Sequence, residues 1–185
     1  MIYKMLEFIG INIAFIVFIY YLINFFNIST IEKKRLQKLM IISYILIVIL
    51  GTITYKYKNE KYKKKNHRDL TFFEFINGGP IDSTFLKRVL KGLGVGIVFG
   101  IIDNGGLWFG MDALDPILPK GTLTRAGFGN VFSDTLSAFL STFAGAIIAH
   151  HFPVGGETPI WTDAIGTFVG TLIGLFGSRT LTGRK

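Results

Sequence analysis

The sequence predicts an all-α integral membrane protein with five transmembrane helices and a tightly packed, Gly/Ser-rich three-helix core toward its C-terminal end. Three observations predict it. Half of the 185 residues are hydrophobic, with 18 Phe and a mean hydropathy of +0.47, too apolar for an ordinary soluble domain of this size. Apolar runs long enough to cross a hydrocarbon layer of roughly 30 Å recur along the chain. In the last three runs, small residues return at every fourth position.

Charge and glycine are distributed unevenly. Ten of the 14 Lys precede residue 70, and 20 of the 22 Gly follow it. This shift divides the chain into two N-terminal transmembrane helices (1–55), a basic linker (56–91), a three-helix membrane core (92–177) and a basic C-terminal tail (178–185). The Ile/Lys/Asn/Phe/Tyr-rich first part is a composition that AT-rich genomes encode, large DNA viruses among them. With no Cys, disulfides and thiolate metal sites are excluded. The first apolar run has no small-residue cleavage site and is read as a span rather than a signal peptide.

The first run covers Leu6–Ile28 and the second Leu36–Tyr55. Both are bulky, rich in Ile, Leu, Phe and Tyr, and are expected to face lipid. Between them and the core, Lys56–Arg68 is strongly basic. It is expected to be solvated and to favour anionic lipid headgroups, worth about 1 kcal/mol per basic residue near the surface; it offers no fold for nucleic acid. Leu70–Ile76 (LTFFEFI) reads equally as an interfacial helix or as a loop with buried Phe. With five spans, Lys and Arg divide 11 against 9 between the two membrane faces, which leans the 56–91 connection toward the cytoplasm.

The third, fourth and fifth runs cover Gly92–Gly110, Ala126–Ala149 and Ile160–Gly177. Gly92, Gly96 and Gly100 recur on the third. Ser137, Ser141, Gly145 and Ala149 recur on the fourth, and Gly166, Gly170 and Gly174 on the fifth. Positions i and i+4 share a helix face, and in lipid small residues allow the close backbone approach that holds helices together. These faces are expected to pack the core, and equally to make a homo-oligomer.

Polar residues interrupt this apolar pattern. A carboxylate at the bilayer centre costs about 2.5–3.5 kcal/mol on insertion scales, yet Asp103 lies within "GIIDNGG". Asp134 lies within "GFGNVFSDTLSAFLS", where Asn130, Ser133, Asp134, Ser137 and Ser141 share one helical face. Runs three and four are antiparallel. Asp103 is seven residues before the end of one and Asp134 eight after the start of the other. At 1.5 Å per residue both lie roughly 11 Å below the same membrane face. Paired acids in lipid share a proton unless a cation joins them, and hard cations such as Na⁺ or Ca²⁺ take oxygen ligands.

The candidate cation site is therefore Asp103, Asn104, Asn130, Ser133 and Asp134, with Asp103 and Asp134 as the metal-binding carboxylates. Asp112 and Asp115 stand at its entrance. Gly105 and Gly106 are placed to let the helix open and offer carbonyls. The alternative is a protonated pair that only bonds helices together, with Asp112 and Asp115 paired to Lys120 and Arg125. Asp163 suits the start of a helix. Adjacent His150 and His151 do not share a helix face and read as interfacial. No catalytic triad, phosphate-binding loop or dinucleotide fingerprint occurs, so neither an enzyme nor a cofactor is expected.

The stretches "GIIDNGGLWFGMDALD" and "AGFGNVFSD" resemble the transmembrane protein 65 family over about residues 92–177. The family pattern is similar: G-x-x-D-N, an acidic pair just beyond, then G-x-G-N-x-x-S-D on the next helix. Ser137 stands where that pattern has a Gly. The resemblance implies three packed spans, and its mitochondrial members are linked to sodium-dependent calcium export. It places Asp103, Asn104, Asp112, Asp115, Asn130, Ser133 and Asp134 at the matching positions. The competing expectation is a non-transporting structural protein, in a virion inner membrane or anchoring a scaffold or capsid partner.

Overall fold

In the computed structural model the described residues are 29–114, 116–118 and 120–182, with Val17, Tyr20, Tyr21 and Asn24. The run expected over Leu6–Ile28 lies almost wholly outside them. Among the described residues there is no strand. The helices are α1 (Thr30–Asn66), α2 (Phe72–Ile76), α3 (Phe85–Leu114), α4 (Thr122–His151) and α5 (Ile160–Thr182). Among the described residues three are long and apolar enough to cross a membrane: α1, α4, and α5 over Ile160–Ser178. The chain divides into two units, before and after the Phe72–Phe73 link.

In the first unit, α1 begins with a capping box. The Glu32 backbone N–H donates to Ser29 Oγ at 3.3 Å, and the Ser29 N–H donates to Glu32 Oε2 at 3.0 Å. The helix does not stop at Tyr55 but runs through the basic segment to Asn66. Lys, Glu and Tyr permit helix, no Gly or Pro lies between Gly51 and Gly78, and Lys63, Lys64 and Lys65 in the last turn suit the negative end of the helix dipole. His67, in the left-handed conformation at φ 53°, ends it with its N–H on Lys63 O. The chain then doubles back along α1. The Leu70 N–H donates to Asn59 Oδ1 at 2.6 Å, Tyr55 donates its hydroxyl to Leu70 O at 2.8 Å, and Lys63 pairs with Asp69 at 3.4 Å.

In the second unit α3 is the central helix, with α4 packed on one side and α5 on the other. Each helix buries a row of residues four apart. The rows are Arg88, Gly92, Gly96 and Gly100 on α3, Gly129, Ser133, Ser137 and Ser141 on α4, and Thr162, Gly166, Gly170, Gly174 and Ser178 on α5. Rows at this spacing form the ridges that interlock when helices cross. Between α3 and α5 the contact is backbone on backbone. A Cβ on Gly96 would meet Thr167 N at 2.8 Å and Gly166 Cα at 3.0 Å; one on Gly174 would meet Ile101 O at 2.8 Å. A Cβ on Gly100 would run into Thr167 O and the Thr171 amide, one on Gly170 into Ile97 O, one on Gly166 into Leu93 O, and one on Gly92 into the Thr162 side chain.

The short helix α2 buries Phe75, with Leu70 buried just before it and Phe73 left exposed. The loop after α2 is held by a buried cation. Arg88, only 3% exposed, donates to the carbonyls of Gly78 (2.8 Å) and Pro80, and lies 3.7 Å from Asp82. Gly78 takes φ +65°, and a Cβ there would collide with the Glu157–Thr158 backbone of the α4–α5 loop. Trp161 donates its indole N–H to Asn77 Oδ1 at 3.3 Å. Carbonyls turned inward by this turn would otherwise be buried without donors, and the guanidinium supplies them.

Candidate site between α3, α4 and α5

Asp103 and Asn104 are consecutive, so on a helix they point about 100° apart. That offset lets one dipeptide address two neighbours. Asn104 extends the Gly92–Gly96–Gly100 row by one more step and meets α5, where its Nδ2 donates to Thr171 Oγ1 at 3.1 Å. Asp103 turns toward α4, where the Ser133 hydroxyl donates to its Oδ1 at 2.8 Å. Asn104 Nδ2 also lies 3.3 Å from Asp103 Oδ2, so both carboxyl oxygens of Asp103 have donors.

On α4, Ser133 is fully buried and its Oγ also lies 3.2 Å from Asn130 O. Asn130, one turn before Asp134, donates from Nδ2 to Asp134 Oδ2 at 2.6 Å. Ser133, bonded to Asp103, directly precedes Asp134, so the two carboxyls belong to one neighbourhood. The site thus gathers two carboxyls, two carboxamides and two hydroxyls from three helices at one level. Ser133 is its buried wall, while Asn130 and Asp134 lie on the exposed side of α4.

Glycine next to the site acts by contact. Helix α3 is continuous through Asn104, Gly105 and Gly106 to Leu114, so it does not open there. Instead Gly105 lies against the Ser178 hydroxyl of α5 at 3.6 Å and Gly106 against Ser133 Cβ of α4 at 3.8 Å, measured from where a Cβ would stand. Without side chains there, both neighbours come close and the i→i−4 hydrogen bonds remain intact.

Of the expected entrance residues, Asp112 is on the last turn of α3 and Asp115 lies outside the described residues. Asp163 is in the first turn of α5, on its exposed side. His150 and His151 occupy the last turn of α4, their rings 5.4 Å apart. Among the described residues no group of three or more His, Cys, Asp or Glu is placed to hold a metal ion. A cation between Asp103 and Asp134 would therefore draw its neutral oxygens from the hydroxyls of Ser133 and Thr171, because Asn104 turns its amide N–H group toward Asp103 and Thr171. Thr171 was not singled out from the sequence. One Thr among several in an apolar helix carries no signal until Asn104 is seen to reach it. Arg88 was missed too, although it stands one turn before Gly92 on the glycine row.

Fold and site together define a class: an all-helical protein with three helices suited to a membrane and a paired-acid polar site between packed helices. Comparison with protein-family models, with curated proteins and with solved structures finds no match.

Proposed function

We propose that the chain is a five-span integral membrane protein whose C-terminal core passes a hard cation, Na⁺ or Ca²⁺, through the site formed by Asp103 and Asp134. One observation carries the reading: Asp103 of α3 is bonded to Ser133, the residue next to Asp134 on α4, and among the described residues neither carboxyl has a basic partner. No Lys or Arg lies between Lys91 and Lys120, between Arg125 and His150, or from Ile160 to Ser178. Two apposed carboxyls in a low-dielectric layer are neutralised either by a shared proton or by a cation. The hydroxyl oxygens of Ser133 and Thr171 suit a hard cation, and Asn104 and Asn130 would supply theirs by turning their carboxamides over.

In this reading Asp112 and Asp115 draw cations toward the site, Lys56–Arg68 contacts anionic headgroups of the bilayer, and the chain works as a homo-oligomer. The test is Na⁺-coupled Ca²⁺ flux in proteoliposomes. Wild type is expected to carry it. Asp134→Asn, which keeps the shape and a hydrogen-bonding group, is expected to lose at least tenfold with helicity and thermal stability retained. Equal flux in the two proteins would sink the reading.

A second reading is favoured by one feature: both Asp103 oxygens already have donors, Ser133 and Asn104. A protonated pair so satisfied would serve only to join helices, and the protein would be a structural membrane component bound to a scaffold or capsid protein. Wild type without flux, recovered with such a partner, is the outcome that selects it.

A further inference from the structure

We infer that the site around Asp103 and Asp134 is divided between two bodies and that α4 is the one that moves. It swings on α3 as a rigid whole while α3 and α5 stay locked together, so that α4 assembles the site and takes it apart. The inference rests on the ion-passing reading above for its purpose, and on packing alone for its geometry. The two sides of α3 are packed differently. Toward α5, backbone meets backbone: a Cβ on Gly96 would stand 3.0 Å from Gly166 Cα, and one on Gly174 would stand 3.1 Å from Gly105 N. Surfaces meshed so closely cannot slide without collision. Toward α4, the atoms met are side-chain atoms. Measured from where a Cβ would stand, Gly94 faces Ile148 Cδ1 at 3.1 Å, Gly145 faces Val95 Cγ2 at 3.5 Å, Gly110 faces the Phe132 ring at 3.6 Å and Gly106 faces Ser133 Cβ at 3.8 Å. Side chains change rotamer as a helix slides over them, which is how packed helices shear.

The polar groups divide along the same line. Asn104 bonds to Thr171, both on the α3–α5 pair. Asn130 bonds to Asp134, both on α4. The Ser133 hydroxyl crosses the boundary, donating to Asp103 Oδ1 at 2.8 Å. Such a bond trades against water with a small net change, so it can be made and broken as α4 moves. The ends of α4 allow a pivot. Gly121, at φ 123°, directly precedes the helix. After His151 the loop reaches Gly155, whose Cβ position has nothing within 4 Å. Fixed structure resumes at Gly156, whose Cβ position lies 3.4 Å from the Arg88 side chain, and at Glu157–Thr158, which Gly78 abuts. The Arg88 clamp thus ties the loop before α5 to the loop before α3, and residues 152–155 are left to absorb the turn. Asn130 and Asp134, on the exposed side of α4, travel with it.

Because the chain has no Cys, paired thiols can lock either side of α3 in the full chain in proteoliposomes. Val95→Cys with Gly145→Cys bridges α3 to α4, and Gly105→Cys with Ser178→Cys bridges α3 to α5. The starting separations are similar, 3.5 and 3.6 Å, and within reach of a disulfide. Oxidation is expected to cut Na⁺-coupled Ca²⁺ flux at least about tenfold in the first pair, with recovery on reduction, and to leave the oxidised and reduced forms of the second alike. A readout without flux accompanies it. Leu90, Phe139 and Phe176 are exposed on α3, α4 and α5. Spin labels at Leu90→Cys with Phe139→Cys are expected to give a distance distribution at least about twice as wide as labels at Leu90→Cys with Phe176→Cys, in the same lipid. Equal widths overturn the inference, as does flux that survives the α3–α4 bridge or falls equally with both bridges. Wide α3–α4 distances with no flux from wild type retire the transport reading alone.

Discussion

Helix α1 and the α3–α5 pair are both apolar, yet they treat glycine in opposite ways. Gly51 in α1 has nothing within 4 Å of where a Cβ would stand, and α1 has no buried residue among those described. Gly100 in α3 has α5 backbone there instead. In water the bulky helix would be the one driven into contact. In lipid, hydrocarbon gains little by leaving hydrocarbon, and close approach of backbones decides which helices hold together. The difference teaches that helices long and apolar enough for a membrane are held together here where side chains are absent rather than where they are bulky.

The sharpest way to break that contrast is to enlarge one glycine in each region. Gly100→Leu forces a side chain into the Thr167–Thr171 backbone and is expected to cost about 3 kcal/mol, the upper end of overpacking effects. Gly51→Leu is expected to be neutral or to stabilise by about 0.5–1 kcal/mol through helix propensity. Thermal or denaturant unfolding in one detergent compares the two. Similar losses at both positions would remove the distinction.

A smaller effect tests the polar end of the same helix. Arg88→Met keeps the length of the side chain and removes the donors to Gly78 O and Pro80 O. Hydrogen bonds from charged groups are worth about 1.5–3 kcal/mol, so a loss of about 2 kcal/mol is expected. Enhanced proteolysis within residues 77–82 is the accompanying sign.

The smallest effect is acid-dependent and sharpens the Arg88 clamp. The Asp82 carboxyl accepts from the Thr84 hydroxyl (2.6 Å) and the Thr84 backbone N–H (2.9 Å), and it faces Arg88. The Thr84 hydroxyl first, then its backbone N–H, with Arg88 adding less, hold this carboxyl below the ordinary aspartate range. The stability it lends is therefore present above the unfolded value near 3.9. It is lost as pH falls below that value through the folded one. The melting temperatures of wild type and Asp82→Asn should differ at neutral pH and converge in acid; a constant gap would rule out this linkage.

The legible parts were those encoded by local spacing. Glycine four apart marks a helix face whatever packs on it, and two acids at equal depth on antiparallel runs can be paired by arithmetic. Helix α1 was underestimated because a Lys-rich composition suggested a solvated linker, when the stronger signal was the lack of any Gly or Pro to stop the helix before His67. Arg88 and Thr171 were illegible for another reason. Each acquires its role from a partner distant in sequence, the inward carbonyls of Gly78 and Pro80 for one and Asn104 for the other. No periodicity within a single helix announces such a partner.

Residues 103 and 104 also act as a rotational key. One donates toward α5 and the other accepts from α4, from adjoining positions on the same helix. Should α3 turn about its own axis, it would leave both neighbours at once, so the angular setting of the central helix and the assembly of the polar site are a single variable.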